Sequence, residues 1–227
     1  MMNEETNQHA MHTVPPLEPV PNLVREGGGG GLVIIKYNAG NIQSVLYALE
    51  RIGVSAIVTD DFEQIQFADK VIFPGVGEAS SAMKYLKERG LDKIIKDLTQ
   101  PVLGICLGMQ LMCRYSEEND TACLGVFDED VKKFNPPQGS GLKIPQIGWN
   151  TIYNLQSPLF NGLHDGGYCY FVHGYCASLG EHTIATTNYV QPYSSGLHKS
   201  NFYGVQFHPE KSAAAGAQIL KNFIELV

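Results

Sequence analysis

Val102-Leu103-Gly104-Ile105-Cys106-Leu107-Gly108-Met109-Gln110 decides the fold. Val102–Ile105 is a short apolar run, as expected for a strand covered on both faces, and it leads into a helix. At its end, Gly104-Ile105-Cys106-Leu107-Gly108 has the spacing of a nucleophile elbow, a strained turn between strand and helix. Glycine two positions to either side relieves crowding where the chain reverses so tightly. Such a turn presents its central side chain at the carboxyl edge of a sheet, where open α/β folds place their ligands. It also sets the Cys106 thiol at a helix N-terminus, where the dipole favours thiolate. By the pattern alone, a catalytic role and a small buried hydrophobe both remain open for Cys106; the second is expected for Cys113, Cys123, Cys169 and Cys176.

The chain on either side of this turn repeats the same grammar. Leu32-Val33-Ile34-Ile35 reads as a first strand, and a turn follows at Asn38-Ala39-Gly40. Ile42, Val45, Leu46 and Leu49 then recur at helical spacing. Val54–Val58 and Lys70–Phe73 read as further strands, and Leu91, Ile94, Ile95 and Leu98 as a second apolar helical stripe. Strand–helix alternation with short connections predicts an α/β fold, a mostly parallel central sheet flanked by helices. After about residue 120 the pattern changes. Tyr168–Tyr175, His182–Tyr189 and Asn201–Phe207 look like strands without intervening helices, which predicts an additional antiparallel portion. A closing helix carries Leu220, Phe223, Ile224 and Val227.

The 227 residues include 44% hydrophobic and 17% charged, ordinary values that exclude disorder throughout. No apolar run approaches the roughly 18 residues a bilayer span needs, and a net charge of −7 argues against a nucleic-acid partner. Five cysteines without a C-x-x-C pair speak against a disulfide framework or a zinc site, so neither metal nor cofactor is expected. With no secretory signal, a reducing cytoplasm is the default compartment. Residues 1–31 differ from the rest: Pro15, Pro16, Pro19 and Pro21, then the run Gly27 to Gly31, offer little to bury. They are expected to form a disordered extension before one domain over 32–227, with His9 and His12 idle. The glycine run precedes the first strand and lacks a following Gly-Lys-Ser/Thr, so it is no phosphate cradle.

A second segment bears on chemistry. Gln206-Phe207-His208-Pro209-Glu210 stands at the end of a predicted strand, and residues two apart in a strand share a face. Glu210 is therefore expected beside His208, orienting the imidazole and stabilising its cation. Pro209 holds His208 extended. With a cysteine elbow elsewhere in the chain, catalysis is the favoured reading of this pair, provided the fold brings the two segments together.

Gly104-Ile-Cys-Leu-Gly-Met-Gln110 together with His208-Pro-Glu210 resembles the triad-type, class I glutamine amidotransferases. Tyr37-Asn-Ala-Gly-Asn41, Pro74-Gly-Val-Gly77, Ile147-Gly-Trp-Asn150, Tyr170-Phe-Val-His173 and Gln206-Phe-His-Pro-Glu-Lys-Ser212 narrow the resemblance to the glutaminase subunits of imidazole glycerol phosphate synthase. It covers residues 32–227. What it implies is a Cys106–His208–Glu210 triad that hydrolyses glutamine through a γ-glutamyl thioester. It implies an oxyanion hole from the N–H groups of Leu107 and Val76, and a glutamine site formed by Gly77, Gln110, Glu118 and the Gly174–Tyr175 backbone. The Pro74–Gly77 loop is expected to rearrange when the partner is active. That partner would be a (β/α)₈ cyclase subunit in a heterodimer, met by Asn41, Trp149, Tyr170 and Lys211. Two positions depart from the family: Gly174 where Ser or Thr is usual, and Lys36 where many relatives are acidic.

Free ammonia in neutral water is mostly ammonium, which is no nucleophile, so a biosynthetic glutaminase must discharge into a second site. No phosphate-binding loop for a sugar-phosphate acceptor is apparent here, which agrees with a separate synthase subunit. Two alternatives differ in class: a glutaminase for pyridoxal phosphate or purine synthesis, and a catalytically silent regulatory subunit. Retention of all three triad residues argues against the last. From the residues alone, Trp149 reads more naturally as core than as interface.

Overall fold

The computed structural model describes residues 30–38 and 41–227. The expected extension over 1–31 lies outside the described residues apart from Gly30 and Gly31, and so do Ala39 and Gly40 of the expected first turn.

In chain order the first half runs β1 (Leu32–Ile35), α1 (Ile42–Arg51), β2 (Ala56–Thr59), α2 (Phe62–Gln66), β3 (Lys70–Phe73), α3 (Ala79–Glu88), α4 (Leu91–Lys96), β4 (Val102–Ile105) and α5 (Leu107–Met112). The second half is β5 (Tyr115–Ser116), β6 (Thr121–Ala122), β7 (Asp130–Lys133), β8 (Gln146–Ile152), β9 (Gly167–His173), β10 (Tyr175–Ala177), β11 (Thr183–Asn188), β12 (Pro192–Lys199), β13 (Phe202–Val205) and α6 (Ala213–Glu225). Strands β2, β1, β3, β4 and β13 lie side by side and parallel. From β12 onward the sheet continues through mostly antiparallel pairs, while β8 and β9 form a separate two-stranded hairpin. This is the expected α/β architecture with its antiparallel addition.

Two expectations shift in detail, and one short helix is new. Residues 201–207 do not belong wholly to the antiparallel portion: β13 is antiparallel to β12 but parallel to β4, so it is the seam between the two regions. Residues 168–175 are not one strand, because the chain leaves the hairpin at Gly174, whose carbonyl accepts Phe134 N–H at 3.0 Å, and joins the main sheet as β10. The short α2 went unforeseen; Asp61 caps it, its carboxylate accepting Gln64 N–H at 2.9 Å.

The alternation of strand side chains explains why helices cover both faces. Val33, Ile35, Val71 and Phe73 point into one core with Met83, Leu86, Leu91 and Ile95 from α3 and α4. Ile34, Ile72, Leu103 and Val205 point the other way, against Val45 and Leu49 of α1 and Leu220 and Phe223 of α6. Both layers are buried, so the central strands are apolar without a break.

Candidate active site

β4 and β13 are neighbours, and a candidate catalytic residue follows each: Cys106 directly after β4 and His208 three residues after β13. Val205 accepts Cys106 N–H at 2.8 Å, locking the end of one strand to the end of the other. Cys106 itself has φ 52° and ψ −108°, a region that L-residues avoid. Its glycine neighbours are steric necessities. A Cβ on Gly104 would stand 2.8 Å from Met109 N, and one on Gly108 1.8 Å from the Phe73 carbonyl oxygen. The first turn of α5 therefore presses directly on β3, and Gln110 N–H closes it onto the Cys106 carbonyl at 3.1 Å.

His208 does not sit on a strand with Glu210, as the sequence suggested. β13 ends at Val205, and Pro209–Lys211 is a turn of 3₁₀ helix. Proline fits the first position of such a turn, and the turn still folds the carboxylate back under the ring. Nδ1 lies 2.7 Å from Glu210 Oε1, with both side chains buried. The backbone is stitched down on both sides. His208 N–H donates to Tyr170 O at 2.9 Å, while Ser212 Oγ donates to His208 O at 2.6 Å and accepts Tyr170 N–H at 2.9 Å. Glu210 Oε1 also accepts the side-chain amide of Asn41.

Burial works against a charged His208, but Cys106 beside it and Glu210 on Nδ1 outweigh it and raise its pKa to about 10. The arrangement therefore favours an imidazolium at neutral pH, with Glu210 on one ring nitrogen and Cys106 on the other side.

Cys106 and His208 line one cavity of about 260 Å³. Ten of the fourteen residues singled out in the sequence border it. Besides these two they are Val76, Gly77 and Leu107, then Gln110 and Glu118, and finally Gly174, Tyr175 and Lys211. Glu118 Oε2 accepts Ala79 N–H at 2.8 Å; burial pushes its carboxyl up, that hydrogen bond opposes the rise, and the Glu78 charge adds to it. Leu107 N–H does not face the cavity unengaged: it donates to Gly75 O at 3.3 Å. Tyr37 holds the same loop, its hydroxyl donating to Pro74 O at 2.6 Å.

Glu210, Asn41, Trp149 and Tyr170 are not on the cavity wall. Glu210 and Asn41 lie behind His208. Trp149 and Tyr170 meet edge to face on the outer side of the β8–β9 hairpin, 5.8 Å between ring centres. Trp149 is 52% exposed, so the core reading of it is wrong; the inner side of that hairpin is filled instead by Cys169 and Phe171. Ile147 and Tyr168 are exposed with it. Lys36, at the end of β1, is exposed and is not among the residues lining the cavity.

Three contributors carried no role in the sequence reading. Ser212 ties His208 to β9, and Gln206 reaches Cys106 Sγ with its side-chain amide. His173 is buried on the cavity wall, where burial lowers its pKa to about 4 despite the Tyr175 carbonyl. It is thus neutral, with Nδ1–H donating to Tyr175 O at 2.7 Å and Nε2 lying 3.3 Å from Tyr193 Oη, whose own proton goes to Gln146 Oε1 at 3.1 Å. Spacing gives no role to Gln206 or Ser212, because Gln206 meets Cys106 and Ser212 meets Tyr170 across distant parts of the chain. Among the described residues no group of His, Cys, Asp and Glu could hold a metal ion, and no helix is long and apolar enough to cross a membrane.

Comparison with known proteins agrees with the geometry. The profile of the Glutamine amidotransferase class-I family matches residues 33–226. Imidazole glycerol phosphate synthase subunit HisH of Bacteroides fragilis (strain YCH46) is 58% identical over 195 residues, covering 86% of this chain and 99% of that protein. The protein of the same name from Bacteroides thetaiotaomicron is 54% identical over the same shares. Among solved structures, a glutamine amidotransferase from Thermotoga maritima superposes with a TM-score of 0.55 at 20% identity, covering 88% of this chain and 82% of that one.

Proposed function

The chain belongs to the class-I glutamine amidotransferases, and on that premise we propose how its residues divide the work. It is the glutaminase subunit of an imidazole glycerol phosphate synthase, in line with its 58% identity to a HisH subunit over nearly that protein's whole length. The observation that carries the mechanistic reading is the junction of β4 and β13, which delivers Cys106 and His208 into one cavity.

Glutamine enters with its carboxamide toward Cys106 and its α-amino group toward Glu118. The thiolate attacks the carboxamide carbon, and the oxygen takes up the negative charge. When the tetrahedral species collapses, the imidazolium of His208 gives its proton to the leaving nitrogen, and ammonia departs from a γ-glutamyl thioester. The now neutral His208 takes a proton from water, whose oxygen attacks the thioester; the C–S bond breaks, and glutamate and the thiolate are released. Glu210 orients the ring throughout, and Asn41 steadies Glu210.

The oxyanion would rest on the N–H groups of Leu107 and Val76. Since Leu107 N–H is held by Gly75 O here, the hole is incomplete until the 74–77 loop turns. Gly77, at φ 115°, supplies a joint for that turn. This makes partner binding a switch for chemistry.

The partner in this reading is a (β/α)₈ cyclase subunit forming a heterodimer, docked on the exposed face of β8 and β9 around Trp149 and Tyr170, with Lys211 nearby. Ammonia passes to it directly. Five free thiols suit a reducing cytoplasm. The test is Cys106→Ala in the reconstituted synthase: glutamine-dependent synthesis should vanish while synthesis from ammonium salts continues. Loss of both, or survival of both, would defeat the assignment.

A further inference from the structure

The side chain of Gln206 is wholly buried and lies behind Cys106, off the cavity wall. Its Nε2 donates to Cys106 Sγ at 3.7 Å, and its Oε1 accepts from Gln110 Nε2 at 2.9 Å. Gln110 Nε2 gives its other proton to Tyr175 O, also at 2.9 Å.

These orientations are forced. A backbone carbonyl only accepts, so the Gln110 nitrogen, not its oxygen, must face Tyr175. That same nitrogen faces Gln206, which must answer with its oxygen. The Gln206 nitrogen is then left pointing at sulfur. The Tyr175 carbonyl that starts the chain is itself held by His173 Nδ1–H at 2.7 Å.

Around Sγ the other polar groups include His208 and the Val172 carbonyl oxygen, 3.7 Å away, and the buried Tyr37 and Tyr193 phenols are near enough to feel its charge. The Val172 oxygen favours the protonated thiol, as an acceptor for its S–H. A fixed N–H favours the thiolate, and more strongly in a buried setting than in water. From these contacts we infer that Gln206 is a donor to the reacting sulfur, holding it in place and favouring its ionised form from the side opposite the substrate. Gln110 then serves as the clamp on Gln206. Both its amide protons are spent, so only its oxygen remains for glutamine. The inference rests on Cys106 being the nucleophile.

The experiment reads the sulfur rather than glutamine turnover. In the full-length chain, iodoacetamide labelling of Cys106 is followed by peptide mass against pH. Gln206→Met removes the donor and should move the labelling profile upward by about one pH unit, the scale of one hydrogen bond to a charged group. Gln206→Glu keeps the acceptor for Gln110 but puts negative charge beside sulfur, and should move it further. If both variants fold and label with the wild-type profile, Gln206 is only packing and the inference fails.

Should neither variant fold, the ¹⁵N resonance of the Gln206 side-chain amide in the unmodified sequence decides. It should shift with the same midpoint as Cys106 labelling, and that shift should be lost in Cys106→Ser. A resonance indifferent to Cys106 overturns the proposal. Failure of the glutaminase reading would show separately, as glutamine hydrolysis that survives Cys106→Ala.

Discussion

The carbonyl oxygen of Gly75 takes the backbone N–H of Leu107 at 3.3 Å. In the proposed mechanism, the donor assigned to the oxyanion is thereby bonded to the loop that would help build the hole. Absence of one such donor costs about 10²–10³ in rate. Glutamate release by the chain alone should therefore run about 100-fold or more slower than in complex with its partner and acceptor substrate. Equal rates would contradict the switch. Tyr37→Phe, which frees Pro74 O, should raise the partner-free rate several-fold.

Asn41 donates to Glu210 from a backbone at φ 77°. Asn41→Gly removes the amide while keeping that conformation unstrained. Losing a hydrogen bond to a charged group is worth about 1.5–3 kcal/mol, so kcat for glutamine should fall about tenfold or more, with KM little changed. Steady-state kinetics in the complex check this, and ammonium-dependent synthesis serves as the control. A raised KM at constant kcat would assign Asn41 to binding instead.

A Cβ on Gly174 would meet only Ile144 and Pro145, at 3.6 and 4.0 Å, which is ordinary contact. Gly174→Ser should fold normally and add a hydroxyl at the cavity edge. One neutral hydrogen bond of about 0.5–1.5 kcal/mol should lower KM for glutamine roughly two- to tenfold, leaving kcat almost unaltered. An unchanged KM would show that the hydroxyl does not reach the substrate.

His208 has its pKa raised from 6.5 to about 10 in the folded chain. The folded state thus binds this proton more tightly than the unfolded state does. The resulting stability is fully present below about pH 6.5 and fades as pH climbs through about 10. Denaturant midpoints taken at intervals across that window should decline. In Cys106→Ser, which removes one source of the shift, they should decline less. Parallel curves for the two proteins would deny the Cys106–His208 coupling.

How far these features were legible differs from residue to residue. The elbow was readable because its glycines answer a steric demand that any sequence must meet: there is no room for a Cβ at Gly104 or Gly108. The β1, β3 and β4 strands were readable because burial on both faces leaves an unbroken apolar run. β12 was not, since Ser194 and Ser195 sit in it fully buried, with Ser194 Oγ satisfied by Ser178 O. β8 was hidden for the opposite reason. Its Ile147 and Trp149 are apolar yet exposed, so the hairpin lacks the inward-apolar, outward-polar alternation that marks a strand. The parallel pairing of β13 with β4 depends on contacts about a hundred residues apart, beyond any local pattern.

The conformation of Cys106 has a consequence of its own. A non-glycine residue at φ 52° and ψ −108° costs of order 1–3 kcal/mol, and the surrounding fold absorbs it to keep Cys106 on the cavity wall. Exchange for glycine would release that tension and erase the reaction in one step. At this single position durability and usefulness pull against each other, and the sturdier protein would be the inert one.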